Sequence, residues 1–294
     1  MKKRERRVTL KKEDHFIHNN LPLIIAERDP QPEFDLHSHQ FTELLVVTKG
    51  QAIHIIDGRE YPVSAGDVFV IGGNREHQFK NMRDLSLINI IFEPEGLKMN
   101  NWFLGELPGF RAIFQLEPEY RDNHNFESRL KMEQEELKKT LAIIRSLKEE
   151  LTGERAGFKA ASISLFINLL VHLSRSYENS LKPQSLSLLR IARAINYLEK
   201  EFARNIDFEN LGKIAHMSLR NFQRVFKKTM GCSAREYLID LRLSKSRHLL
   251  RSSDLTITEI AYASGFNDSN YFTRKFVEKN GVSPSHYRSI RGVS

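Results

Sequence analysis

The most constraining feature of this chain is an internal repeat near its C-terminus. LGKIAHMSLRNFQRVFKKTMG (211–231) matches IAYASGFNDSNYFTRKFVEKNG (260–281). Leu211 answers Ile260, and Phe222, Arg224, Phe226 and Gly231 answer Phe272, Arg274, Phe276 and Gly281. The offset is 49 residues and becomes 50 after a one-residue insertion in the turn. Each copy reads as a short helix, a tight turn and a second helix. Thr256 and Glu259 have capping-box spacing, and Ser218 and Asp268 are suited to cap the second helix of each copy. Gly231 and Gly281 stand where a left-handed residue would stop it. Such a repeat requires two similar helical units packed on a shared core.

The second helix of each copy is two-faced. Phe222, Val225 and Phe226, then Phe272 and Phe276, face inward. Arg220, Gln223, Arg224 and Lys227, then Asn270, Thr273 and Arg274, face outward. Arginine pairs bidentately with guanine, and asparagine or glutamine with adenine, so the outward set can read base edges. Two such units joined by one helix (Arg235–Leu250) would present both reading helices to one face of double-stranded DNA, about one helical turn apart, roughly 34 Å.

Charge agrees. Residues 186–294 hold 19 Lys and Arg against 10 Asp and Glu, a net of +9. The remaining residues hold 26 against 27, and seven of those basic residues lie in the first twelve positions. A basic C-terminal third beside an acidic body points that third at a polyanion. One cysteine, Cys232, excludes an intrachain disulfide and suits the cytoplasm. The longest apolar run, Ile163–Leu173, is too short and too polar to span a membrane. The basic head Lys2–Lys12 lacks the apolar segment of a secretory signal.

The N-terminal part follows a different period. Leu44–Val47, Ala52–Ile56, Val68–Ile71 and Leu87–Phe92 are short and apolar, and Asp57-Gly58 and Ala65-Gly66-Asp67 punctuate them. Short strands with turn signals and no intervening helices predict an antiparallel barrel. Two helices follow. In residues 133–151, Leu137, Leu141, Ile144 and Leu151 form a heptad-like seam that could cover the barrel or pair two chains into a homodimer. Phe158–Tyr177 is the other, and ENSLKPQS (178–185) reads as a polar linker.

These readings converge on a resemblance. Ile-Ala, Gly-Phe, Tyr-Phe, Arg, Phe, Gly, Ser-Pro and Tyr-Arg within residues 260–288 resemble the signature of the AraC/XylS transcription regulators. INIIFEPEGLK (88–98) and LPGF (107–110) extend the likeness, most closely to the L-rhamnose-responsive members. Gly212 departs from the usual alanine. The resemblance implies base contacts from Arg220, Gln223 and Arg224 in the first unit and from Asp268, Asn270 and Arg274 in the second.

HSHQFTELLVVTKG (37–50) resembles the first cupin motif, and Gly66 through Gly72 to His77 the second, with Gly72 in place of proline and Asn74 in place of glycine. On one strand His37, His39 and Glu43 would share a face, with His77 joining from a neighbour. Three imidazoles and a carboxylate suit Zn, Ni, Mn or Fe(II). They suit a metal-free sugar pocket equally well, and a structural remnant less well, because four ligand-type groups stand in register.

The expected fold is α+β and multidomain. A cupin-like antiparallel β-barrel (1–125) senses ligand, a helical region (126–178) pairs or packs, a linker (179–185) follows, and an all-α domain with two helix-turn-helix motifs (186–294) binds DNA. The expected function is transcription regulation of sugar catabolic genes, not catalysis. The expected partners are an operator, a small-molecule effector such as L-rhamnose, a second copy and, for an activator, RNA polymerase. The alternatives are a regulator answering a different sugar or an aromatic effector, and a cupin metalloenzyme fused to a DNA anchor.

Overall fold

A computed structural model of the protein describes residues 8–16, 21–72, 74–119, 129–179 and 183–291, the side chains of 8, 14, 183–185, 290 and 291 excepted. The chain divides into two compact units, Met1–Ala192 and Arg193–Ser294.

The first unit is built on one eight-stranded sheet. Its strands are β1 (Val8–Leu10), β2 (Leu23–Arg28), β3 (His37–His39), β4 (Thr42–Ile56), β5 (Arg59–Ser64), β6 (Asp67–Ile71), β7 (His77–Phe92) and β8 (Leu130–Lys131). The path runs β1-β3-β7-β4-β6-β8, with β2 on β7 and β5 on β4. All pairings are antiparallel except β1 with β3. Two expected strands, Leu44–Val47 and Ala52–Ile56, are one strand of 15 residues, β4. Three register shifts between Val47 and Ile53 interrupt its ladder with β7. Extra residues at such bulges bend and twist a strand. Gly50 sits in the bend at φ +71°, where an added Cβ would lie 2.2 Å from the Asp84 carbonyl oxygen, so only glycine fits. Leu45, Val47, Ile56, Phe69, Ile71 and Leu87 fill the interior.

Helices α1 (Gln134–Gly153) and α2 (Phe158–Asn179) pack on each other and belong to the first unit, not to a unit of their own. The Phe166 ring meets Phe92 of β7 at 5.1 Å between centroids, edge-on. The expected seam on α1 is partly internal. Ile144 and, unforeseen, Leu147 are buried, whereas Leu137, Leu141 and Leu151 are half-buried. Next, α3 runs from Pro183 to Glu201, so helix replaces most of the linker expected at 179–185. A proline is favourable at a helix start, where its missing N–H has no intrahelical partner to lose. The remainder, 180–182, lies outside the described residues, as does the start of the basic head. Its end forms β1 on β3.

The second unit is helical: α4 (Phe208–Ile214), α5 (Leu219–Met230), α6 (Ala234–Ser252), α7 (Ile257–Ala263), α8 (Ser269–Asn280) and α9 (Pro284–Arg291). Gly231 and Gly281 terminate α5 and α8 in the left-handed conformation, as the repeat predicts. The capping box at Thr256 and Glu259 is present, and so is a second at Ser233 and Glu236 that went unread. Phe272 and Phe276 lie in one core with Leu243, Leu250, Ile260 and Phe266. Each buried phenylalanine contributes roughly 2–3 kcal/mol by area.

Candidate ligand pocket and nucleic-acid interface

Strands β3, β4 and β7 bring three donor groups together. Glu43 Oε2 lies 3.5 Å from His39 Nε2 and 3.7 Å from His77 Nε2. All three residues are buried. His39 Nδ1 is 2.7 Å from the Phe41 carbonyl oxygen. A carbonyl only accepts, so Nδ1 carries a proton and Nε2 is turned toward the carboxylate. A proton, a donor or a cation must separate Nε2 from Glu43. Both ring nitrogens of His77 are buried without a hydrogen-bond partner.

Electrostatics fix the charge of the cluster. Burial pushes the Glu43 carboxyl up, but the hydrogen bond and charge of His39, with the Asn89 amide, outweigh it and hold the pKa at about 2. Glu43 is therefore ionised at neutral pH. Burial holds His77 well below the usual imidazole range, so its ring is neutral.

His37 stands apart. Its ring lies 4.3 Å from that of His77, and its Nδ1 donates to the Asp35 carbonyl at 2.9 Å. Among the described residues, the groups placed to share one ion are His39, Glu43 and His77, a three-residue set in place of the four expected. β3 ends at His39 and β4 starts at Thr42, so Glu43 comes from a different strand than the two histidines, and His37 Nδ1 is taken by the Asp35 carbonyl. The two nitrogens and one oxygen suit a divalent first-row metal, whose ligands at about 2.1 Å would stand roughly 3–3.5 Å apart.

Beside the cluster is a cavity of about 320 Å³, lined by Glu43, His77, His37, Asn89, Arg28 and Phe34 among others. That is at the small end of ligand pockets. Two of its lining residues, and one neighbour, went unread in the sequence. Asn89 interrupts an apolar strand and keeps its Oδ1 buried without a partner. Arg28 ends β2. The His54 ring, buried in β4, lies 5.7 Å from that of His77. A polar residue within an apolar run was the available signal for Asn89 and His54.

The second site is the outer face of α5 and α8. Arg220, Gln223, Arg224, Asn270 and Arg274 are exposed, while Phe222, Phe226, Phe272 and Phe276 are buried. Arg224 donates to Asn221 Oδ1 at 2.9 Å, which orients its guanidinium. The Arg274 guanidinium lies 5.3 Å from the Tyr271 ring centroid. Asp268 is exposed, but its carboxylate accepts the Tyr271 amide and caps α8. The structure gives this expected base contact a capping role. Ser218 caps α5 through the Asn221 amide.

Comparison with known proteins matches a family to each part of the chain. Residues 25–91 match the cupin domain and 211–290 the helix-turn-helix domain. The HTH-type transcriptional activator RhaS of Escherichia fergusonii is 32% identical over 282 residues, spanning 96% of this chain and 97% of that protein. RhaR of Pectobacterium atrosepticum is 32% identical over 292 residues, spanning 96% of each. Among solved structures, the C-terminal domain of AraT, a response regulator from Geobacillus stearothermophilus, matches 40% of this chain and 92% of its own at 31% identity, with a TM-score of 0.34. Similar along nearly its whole length to transcriptional activators, the chain belongs to the AraC/XylS family of DNA-binding transcription regulators.

Proposed function

We propose that the protein is a ligand-controlled activator of sugar catabolic genes. A monosaccharide-sized effector enters the barrel, and L-rhamnose heads the candidates because the relatives are RhaS and RhaR proteins. The protein acts in the cytoplasm as a homodimer on a DNA operator and recruits RNA polymerase. Effector shifts DNA affinity only as far as it prefers one conformation of the regulator over another.

One observation carries the effector reading. His77 Nδ1 and Nε2 and Asn89 Oδ1 are buried without hydrogen-bond partners beside an ionised Glu43, and all three residues line the cavity. Buried polar groups left unpaired are costly. A neutral imidazole offers one donor and one acceptor, and a hydroxyl answers either. A polyol therefore satisfies this lining where an aliphatic molecule would not.

A second reading rests on the convergence of His39, Glu43 and His77. These residues would hold a divalent cation, which supplies a Lewis-acidic anchor for an effector hydroxyl. The test is thermal melting of the full chain against L-rhamnose and other monosaccharides, with and without chelator. Effector at 100 times its Kd stabilises by about 2.7 kcal/mol. A selective shift that survives chelation supports the metal-free pocket, and its loss on chelation supports the cation. No shift with any monosaccharide, neutral or acidic, would sink the effector reading and leave the DNA-binding assignment standing.

A further inference from the structure

The effector pocket has a charge at each end. Residues paired across a sheet share a face, and alternate residues along a strand return to it. Glu43 pairs with Ile91, Leu45 with Asn89, Ala26 with Asn89 and Arg28 with Leu87. Glu43, Asn89 and Arg28 therefore lie on one face and step diagonally across β4, β7 and β2. All three line the cavity.

Among the described residues, Arg28 is its only arginine or lysine. Its neighbours are engaged elsewhere: Glu27 accepts from Lys148 at 2.7 Å, and Asp29 from Ser86 at 2.6 Å. Among the described residues, no hydrogen bond or ion pair engages the Arg28 guanidinium. Near the same cavity, Phe34 is 49% exposed and stands edge-on to His37, its ring 4.5 Å away.

We propose that the effector is a sugar acid, its carboxylate held by Arg28 and its hydroxyls by Glu43, Asn89 and His77. The proposal rests on the barrel being the effector pocket and narrows what that pocket takes. A neutral sugar leaves the guanidinium without a counter-charge. A cationic amino sugar meets Arg28 with like charge. A sugar acid entering the other way round sets its carboxylate against Glu43. One orientation of one class answers both ends. A carboxylate also matches the planar guanidinium with two parallel N–H···O bonds. A phosphate dianion calls for more donors than one arginine, and among the described residues the cavity has no second lysine or arginine. Phe34 offers an apolar edge to the ring carbons.

The experiment is calorimetric titration and thermal melting of the full chain with L-rhamnose, L-rhamnonate, D-galacturonate, D-galactose and galactose 1-phosphate. It is repeated on Arg28→Gln and Arg28→Lys. Arg28 is exposed, and melting of each variant without ligand checks that the fold is intact. The expected result is that a sugar acid binds at least about tenfold tighter than its neutral parent. Arg28→Gln should cost about ten- to a hundredfold for the acid, the range of a hydrogen-bonded charge, and little for the neutral sugar. Arg28→Lys should recover part of that loss. If only neutral sugars bind, equally to the wild type and Arg28→Gln, the proposal is wrong and the effector pocket stands. Binding of galactose 1-phosphate alone overturns the carboxylate assignment. If no compound binds or shifts the wild type, the pocket reading falls with the proposal.

Discussion

At the scale of single residues, the two helix-turn-helix units differ where the repeat is least exact. The turn of the second unit contains Gly265 at φ +89°, and the matching residue of the first is His216 at φ +49°. A side chain in the left-handed region costs energy that glycine does not bear. His216→Gly should stabilise the C-terminal unit by about 1 kcal/mol, read as a higher denaturant midpoint at unchanged slope. A lowered midpoint would mean that the imidazole makes contacts worth more than the backbone cost. This contrast was legible, because the repeat aligns the two positions at an offset of 49. The pocket residues were less so. His39, Glu43 and His77 followed from motif spacing. Arg28 did not, because an arginine at a strand end has no pattern of its own until the neighbouring strands show which face it shares.

At the scale of elements, α5 and α8 follow the sequence closely. Caps, stops and the division between phenylalanine and polar faces all depend on contacts within one helix and its turn, so local pattern suffices. With its guanidinium oriented by Asn221, Arg224 is expected to read a base. Arg224→Ala should cost about 1–3 kcal/mol in operator affinity and relax discrimination at one base pair. Equal weakening on all DNA sequences, with a shallower salt dependence, would make it a phosphate contact instead. Helix α1 followed less well. Its heptad spacing was visible, but Ile144 and Leu147 are buried within the first unit, so Leu137 and Leu141 remain only half-exposed. A period reports that a face is apolar and not which neighbour covers it.

At the scale of the whole molecule, the remaining edge of α1 is the expected homodimer contact. Leu141→Asp should convert dimers to monomers in sedimentation while the barrel still melts cooperatively. A variant that stays dimeric places the interface elsewhere. Two units, a strand-rich one and a basic helical one, were evident from the change in hydrophobic period and charge; the division falls at Ala192 and Arg193, a few residues beyond the expected start at 186. The sequence by itself determined the helix-turn-helix repeat, its exposed arginines and the identity of the buried ligand-type residues, because each is encoded within a few turns of chain. Only the tertiary structure decided how the pocket closes. His77 pairs with Ile56, thirteen residues along β4 from Glu43. On a straight strand those positions would stand roughly 40 Å apart. The bulges between Val47 and Ile53 and the glycine bend at Gly50 fold the sheet back on itself. That bend brings His77 within 3.7 Å of Glu43.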